Sequence, residues 1–197
     1  MSEARRRSDY IEVDEESNAL DYLAKACNFI EASEGDPVAW KWVVIGLHGA
    51  LYGFAVCALK GTDANSVVTH TKKGDRLISF GEALKRCQDP EEMCMTVMAR
   101  ALELSAPQRT SIDLLRNLLR NNFEHFVPRG WSIEIHGMPQ IAMDVLDAIQ
   151  FLALDSGTYV SLDDEQQEMI RSYVGQAKQM LQDSKLYQEA AARAQHQ

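Results

Sequence analysis

No two of the four cysteines, Cys27, Cys57, Cys87 and Cys94, form a C-x-x-C pair, and the five histidines are scattered along the chain. That spacing supplies neither a zinc site nor a disulfide framework, so no metal and no cofactor is expected, and buried free thiols in a reducing cytoplasm fit the pattern. A basic excess is also missing: 20 Lys and Arg stand against 29 Asp and Glu, a formal net charge of −9. Most of such a surface repels a duplex or an anionic membrane, so any nucleic-acid contact must be local. No secretory signal opens the chain, because Arg5, Arg6 and Arg7 are followed by the acidic stretch Glu12 to Glu16 instead of an apolar core. A cytoplasmic location is expected. Long uncharged runs are absent but for one, Trp42 to Leu59, which is about the minimum that spans a bilayer. His48 near its middle, the glycines Gly46, Gly49 and Gly53, and the lack of a second such run favour a central buried helix with no membrane contact.

What is present suits one globular domain: 46% of the residues are hydrophobic, enough to bury a real core. The expected organisation is a flexible arm over 1–14, a helical bundle over 15–156, and a C-terminal helix with a frayed tail over 157–197. Helical punctuation recurs. The first helix spans about Glu15 to Ser33 with Leu20, Leu23, Cys27 and Ile30 on one face, and stops at Gly35-Asp36-Pro37. Asp36 caps the next helix with Pro37 at its first position. That helix carries Gly46, Gly49, Ala50 and Gly53 at spacings of three and four, a row of small side chains suited to a tight helix contact, within the fold or between subunits. On the same helix His48 and Tyr52 read as satisfied core residues.

Residues 61 to 74 read as a polar loop. Ser79 with Glu82, and Asp89-Pro90 with Glu92, open helices at about 80 to 87 and 90 to 104. Trp131, Ile133 and Ile135 alternate with polar residues, which predicts a short extended segment near 131–136 laid across the bundle. Pro139 opens a helix with Ile141, Val145, Ala148, Ile149 and Leu152 facing the core. Ser161 with Asp164 caps a last one, packed through Met169, Tyr173, Ala177 and Met180 or Leu181, and fraying is expected past Tyr187. The fold class is all-α, a bundle of about five to seven helices.

One helix carries charge of the minority sign. Projected at about 100° per residue, Ile112, Leu115, Leu119, Phe123 and Phe126 fall on one side, and Arg109, Arg116 and Arg120 on its flank. Four arginines against two acidic residues between Pro107 and Gly130 give net +2 in a chain of −9. An anionic ligand would bind there. Two plainer roles compete: Arg116 and Arg120 can pair with Asp113 and Glu124 at helical spacings, and His125 can serve the helix dipole.

This helix reads LRNNFEHF. It resembles the HEPN superfamily of helical bundles, whose signature is an Arg, then four to six residues, then a His, often with a polar residue directly after the Arg. Arg120, Asn121 and His125 match that order. The uncharged helix starting with Trp40, the run Phe126-x-Pro128-x-x-Trp131 and the closing amphipathic helix extend the resemblance over roughly 15 to 155. It implies a metal-independent endoribonuclease, of the kind found in toxin and antitoxin or phage-defence systems, acting as a homodimer on RNA and paired with an antitoxin or defence partner. In such a protein Arg120, Asn121 and His125 are the catalytic residues, while Arg109, Arg116 and Arg129 bind RNA. Residues five apart on a helix diverge by about 140° and roughly 7.5 Å along the axis, which suits a site shared across a twofold axis. Where some family toxins carry a Tyr two residues after the His, this chain has Val127. A catalytically silent relative serving as a dimerising scaffold or ligand-binding regulator remains the alternative.

Overall fold

Asp14 opens helix α1 (Glu15–Ala32) with a reciprocal cap. Its side chain accepts from the Ser17 N–H at 2.7 Å, and the Ser17 hydroxyl accepts from the Asp14 N–H at 3.1 Å, which satisfies donors that a helix start leaves open. The computed structural model describes residues 11–93, 96–124 and 130–194. Leu20, Leu23, Cys27 and Ile30 of α1 are buried, as their spacing predicts. Asp36 caps a 3₁₀ turn, Pro37–Ala39, that runs straight into α2 (Trp40–Lys60).

Helix α2 is the centre of the bundle. Leu47, Ala50, Leu51, Phe54, Ala58 and Leu59 are sealed from solvent. By length and composition it could cross a membrane, yet 67% of its most apolar window is buried inside the fold. The glycine row faces α1: a Cβ added at Gly53 would lie 2.6 Å from the Ala19 Cβ, and one at Gly46 would lie 3.0 Å from the Ala26 Cβ. The small-residue stripe is thus an intramolecular contact. Lys60 clips the far end of α2 to the start of α1 through Glu15 at 3.2 Å and Glu16 at 3.3 Å. Cys27, Cys57 and Cys87 are buried and free, and burial pushes each thiol up to about 12, which leaves them inert. Cys94 lies outside the described residues.

The expected polar loop after α2 contains an antiparallel hairpin, β1 (Val68–Thr71) and β2 (Gly74–Leu77), with Val68 opposite Leu77 and Thr71 opposite Gly74. Its tight turn is held by the Thr71 hydroxyl, which donates to the Gly74 carbonyl at 2.7 Å. Helix α3 (Phe80–Cys87) starts at its Ser79 cap as predicted. The next helix, α4 (Pro90–Met93), is far shorter than 90 to 104. Long-range backbone bonds account for the difference: the Arg100 N–H donates to Ser156 O and the Leu102 N–H to Cys87 O, both at 2.7 Å, so these groups are not available to a helix of their own.

Ser105, in a capping box with Gln108, starts α5 (Ala106–Asp113). From Leu114 to Arg120 the helix widens into π geometry before closing as α6 (Asn121–Glu124). The segment 131–135 forms no strand. It runs as irregular chain with Ile133 and Ile135 packed against the core. Helix α7 (Met138–Gln150) continues into a second π segment, Phe151–Asp155. Buried Asp144 of α7 accepts from the Ser111 hydroxyl at 2.5 Å and from Gln140 Nε2 at 2.9 Å, which fixes α5 over α7. Helix α8 (Asp164–Asp183) is capped by Asp163 where Ser161 was expected. It buries Ala177 and Leu181, as predicted, together with Ile170 and Val174, which take the places expected of Met169 and Tyr173. Past Tyr187, where fraying is expected, the chain forms α9 (Lys185–Ala194). Residues of α1, α2, α7 and α8 join one hydrophobic cluster.

Candidate functional site

The arginine helix is not uniform. Between Leu114 and Arg120 its hydrogen bonds widen to i→i+5, a geometry that short stretches adopt often at functional sites. The wide turn keeps Ile112, Leu115 and Leu119 in the core while Arg116, Arg120 and Asn121 stay half-buried on the flank. Projection at a constant 100° therefore gives the right faces but the wrong pitch between 114 and 120. Phe123, expected in the core, is partly buried and packs at its edge on Trp131, ring centroids 5.2 Å apart.

Arg109 and Arg116 line one groove of about 290 Å³ together with Phe80, Gly81, Lys85 and Gln88. Arg109 is exposed and donates to Gln88 Oε1. The Arg116 guanidinium lies 5.7 Å from the Phe80 ring centre, and Gly81 makes room for it, since a Cβ there would stand 2.8 Å from Nη1. Among the described residues Arg116 forms no ion pair with Asp113.

Arg120 is held differently. Nη2 meets Glu124 Oε2 at 2.5 Å, Nη1 donates to Asn121 Oδ1 at 3.2 Å, and buried Nε has no partner among the described residues. Asn121 Nδ2 in turn donates to the Asn117 carbonyl at 3.4 Å. The structure thus brings Arg120 and Asn121 together, with Glu124 on the same fork. His125 and Arg129 lie outside the described residues. No group of three or more His, Cys, Asp or Glu side chains suited to a metal ion occurs among those described.

One residue of this surface departs from the satisfied core histidine that the sequence leads one to expect. His48 of α2 is half-buried and stacks on Phe80, ring centroids 4.5 Å apart and planes 17° from parallel. It has no hydrogen-bond partner among the described residues. Burial, then the charges of Arg120 and Arg116, push its imidazole down to about 4. Tyr52, one turn on, donates its hydroxyl to the Ile78 carbonyl, so that half of the expectation holds. Lys85, in the last turn of α3, also lines this surface. The available signal for His48 was its place amid an otherwise uncharged run. For Lys85 there was none, because nothing in local spacing places α3 beside the arginine helix.

Comparison with family models, with curated proteins and with solved structures found no match to this chain in any of the three.

Proposed function

We propose that this chain is a HEPN-like endoribonuclease that works without a metal ion, with Arg120, Asn121 and His125 at the scissile phosphate. The observation that carries the reading is the gathering of Arg109, Arg116 and Arg120 on one flank of one helix, in a chain whose net charge is −9. Arg120 presents a planar, permanently charged fork to the phosphoryl oxygens as negative charge builds in the transition state. Asn121, bonded to that fork, orients it. His125 takes the proton from the ribose 2′-OH or gives one to the leaving 5′ oxygen. The 2′ oxygen attacks phosphorus, the bond to the 5′ oxygen breaks, and the products are a 2′,3′-cyclic phosphate and a 5′-OH. Arg109, Arg116 and Arg129 hold flanking phosphates. In this reading the active form is a homodimer, with Arg120 of one protomer meeting His125 of its partner.

The test is cleavage of total RNA in EDTA by wild type, His125→Ala and Arg120→Ala. Wild type is expected to cut and both variants to lose the activity by about 100-fold or more, while circular dichroism stays unchanged. Intact RNA with all three folded proteins ends the enzyme reading. A growth defect on expression, relieved by either substitution, is the expected cellular counterpart.

A second reading is favoured by the Arg120–Glu124 pair at 2.5 Å, which already occupies the fork. In that reading the chain is a silent dimerising scaffold or regulator and the pair is its resting arrangement. The pair also yields a prediction. Both side chains are about one-third exposed, so their attraction contributes little, about 0.5–1 kcal/mol. Glu124→Gln is expected to tighten binding of a single-stranded oligoribonucleotide by about twofold to fivefold, measured by fluorescence anisotropy. Weaker binding by this variant points to the scaffold.

A further inference from the structure

Neither the buried ring N–H of Trp40 nor the ring of His48, both on α2, has a hydrogen-bond partner among the described residues. A histidine kept for packing normally satisfies its ring nitrogens with a carbonyl, a hydroxyl or a carboxylate. Here neither nitrogen has a partner among the described residues, although Tyr52, one turn away, reaches the Ile78 carbonyl. The ring is not sealed, for His48 keeps part of its surface in contact with solvent. Its plane is set by the stack on Phe80, and Phe80 is also the ring beneath Arg116 and beside Tyr52 at 6.0 Å. An oriented imidazole, unpartnered among the described residues, therefore stands within the field of Arg120, to which the scissile phosphate is assigned, and of Arg116, to which a flanking phosphate is assigned.

We propose that His48 is the group that meets the ribose 2′-OH of the nucleotide whose scissile phosphate Arg120 holds, with Arg116 on the phosphate beside it. The proposal takes its chemistry from the ribonuclease reading. A neutral imidazole offers one acceptor nitrogen, and a 2′-OH is the donor that RNA has and DNA lacks. Two guanidiniums oppose an imidazolium, so the free protein keeps the acceptor open at neutral pH, in accord with the downward shift to about 4. Phosphates bound to Arg116 and to Arg120 cancel that opposition, and the imidazole becomes a better base when substrate is in place. In the cleavage step His48 takes the 2′-OH proton as the bond from O2′ to phosphorus forms. The bond from phosphorus to O5′ breaks, and His125 gives O5′ its proton. Each histidine then performs one transfer, and exchange with water restores both. His48 is in this scheme a catalytic and a sugar-selecting residue.

The test uses the full chain with a single-stranded oligoribonucleotide and the 2′-deoxy oligonucleotide of the same sequence. Wild type is expected to bind RNA about fivefold to tenfold more tightly than DNA, the worth of one hydrogen bond, and His48→Phe to bring the two to parity. Phenylalanine keeps the stack on Phe80, so thermal melting checks that the fold survives. A second measurement avoids substitution altogether: in wild type the His48 imidazole resonances are expected to move on adding the ribose oligonucleotide and to stay in place with the deoxyribose one. Equal affinity for RNA and DNA in wild type, or a preference that His48→Phe leaves intact, overturns the proposal. So do imidazole resonances that answer both oligonucleotides alike. If wild type cleaves RNA and His48→Phe cleaves it equally fast, His48 is not the base and the ribonuclease reading stands. If wild type cleaves nothing yet loses its RNA preference in His48→Phe, the ribonuclease reading falls and the sugar contact remains.

Discussion

Gly53→Leu is expected to lower the stability of this protein by about 3 kcal/mol, a shift of more than 100-fold in the folding equilibrium. The reason lies in the α1–α2 contact. A Cβ at position 53 would sit 2.6 Å from the Ala19 Cβ and 3.2 Å from its Cα, and the second of these belongs to backbone that cannot turn aside. The helices must separate, and the core that buries Leu23, Leu47 and Leu51 loosens with them. Gly175 provides the control. It lies in the exposed middle of α8, and a Cβ there meets nothing within 4 Å. Gly175→Ala is expected to add about 0.5–1 kcal/mol, because alanine loses less backbone freedom than glycine on entering a helix. Urea unfolding of both variants reads the contrast. A Gly53→Leu midpoint equal to wild type contradicts the close approach of α1 and α2.

Stability is also expected to fall as pH is lowered from about 6.5 to about 4, by roughly 3 kcal/mol, owing to His48. Its imidazole stands near 4 in the folded protein, pushed down first by burial and then by Arg120 and Arg116, against 6.5 for the free side chain. Within that window the unfolded chain binds the proton and the folded one does not. Acid therefore favours unfolding, and the stability contributed is complete above 6.5 and gone below 4. Asp14 and Glu15 act in a lower window. Ser17 hydrogen bonds hold Asp14 below the usual carboxylate range, and its own backbone N–H and Lys60 do the same for Glu15. Their contribution is present above the unfolded value and lost as pH falls through the folded one. The two effects separate by substitution: in His48→Phe the loss between 6.5 and 4 is expected to vanish while the loss at lower pH remains. Unfolding free energies measured from pH 8 to 3 decide it, and an unchanged slope in the variant assigns the acid sensitivity elsewhere.

Much of the helical frame was legible because it is encoded within three or four residues. Asp14, Asp36 and Ser79 cap their helices through bonds to the N–H groups that follow. The glycine row of α2 was equally readable, although only packing shows that α1 is what it meets. The arginine flank followed from periodicity. Structure departs from local pattern where distant groups compete for the same backbone or the same face. The helix expected over 90 to 104 is cut short because Cys87 and Ser156 take the N–H groups of Leu102 and Arg100. In α8 two adjacent apolar stripes have the same spacing, and contact with α1 and α7 buries the one with the compact Ile170 and Val174.

The amino-acid sequence by itself determined where helices start, which helix is central, and that Arg109, Arg116 and Arg120 share a flank, since caps and periodicity act between near neighbours. Only the tertiary structure decided that Glu124 shares the Arg120 fork with Asn121, that Lys85 joins the arginine groove, and that His48 lies on Phe80 beside two guanidiniums. Those relations depend on how α2, α3 and the arginine helix pack against one another, and no local spacing records the distance between side chains on different helices.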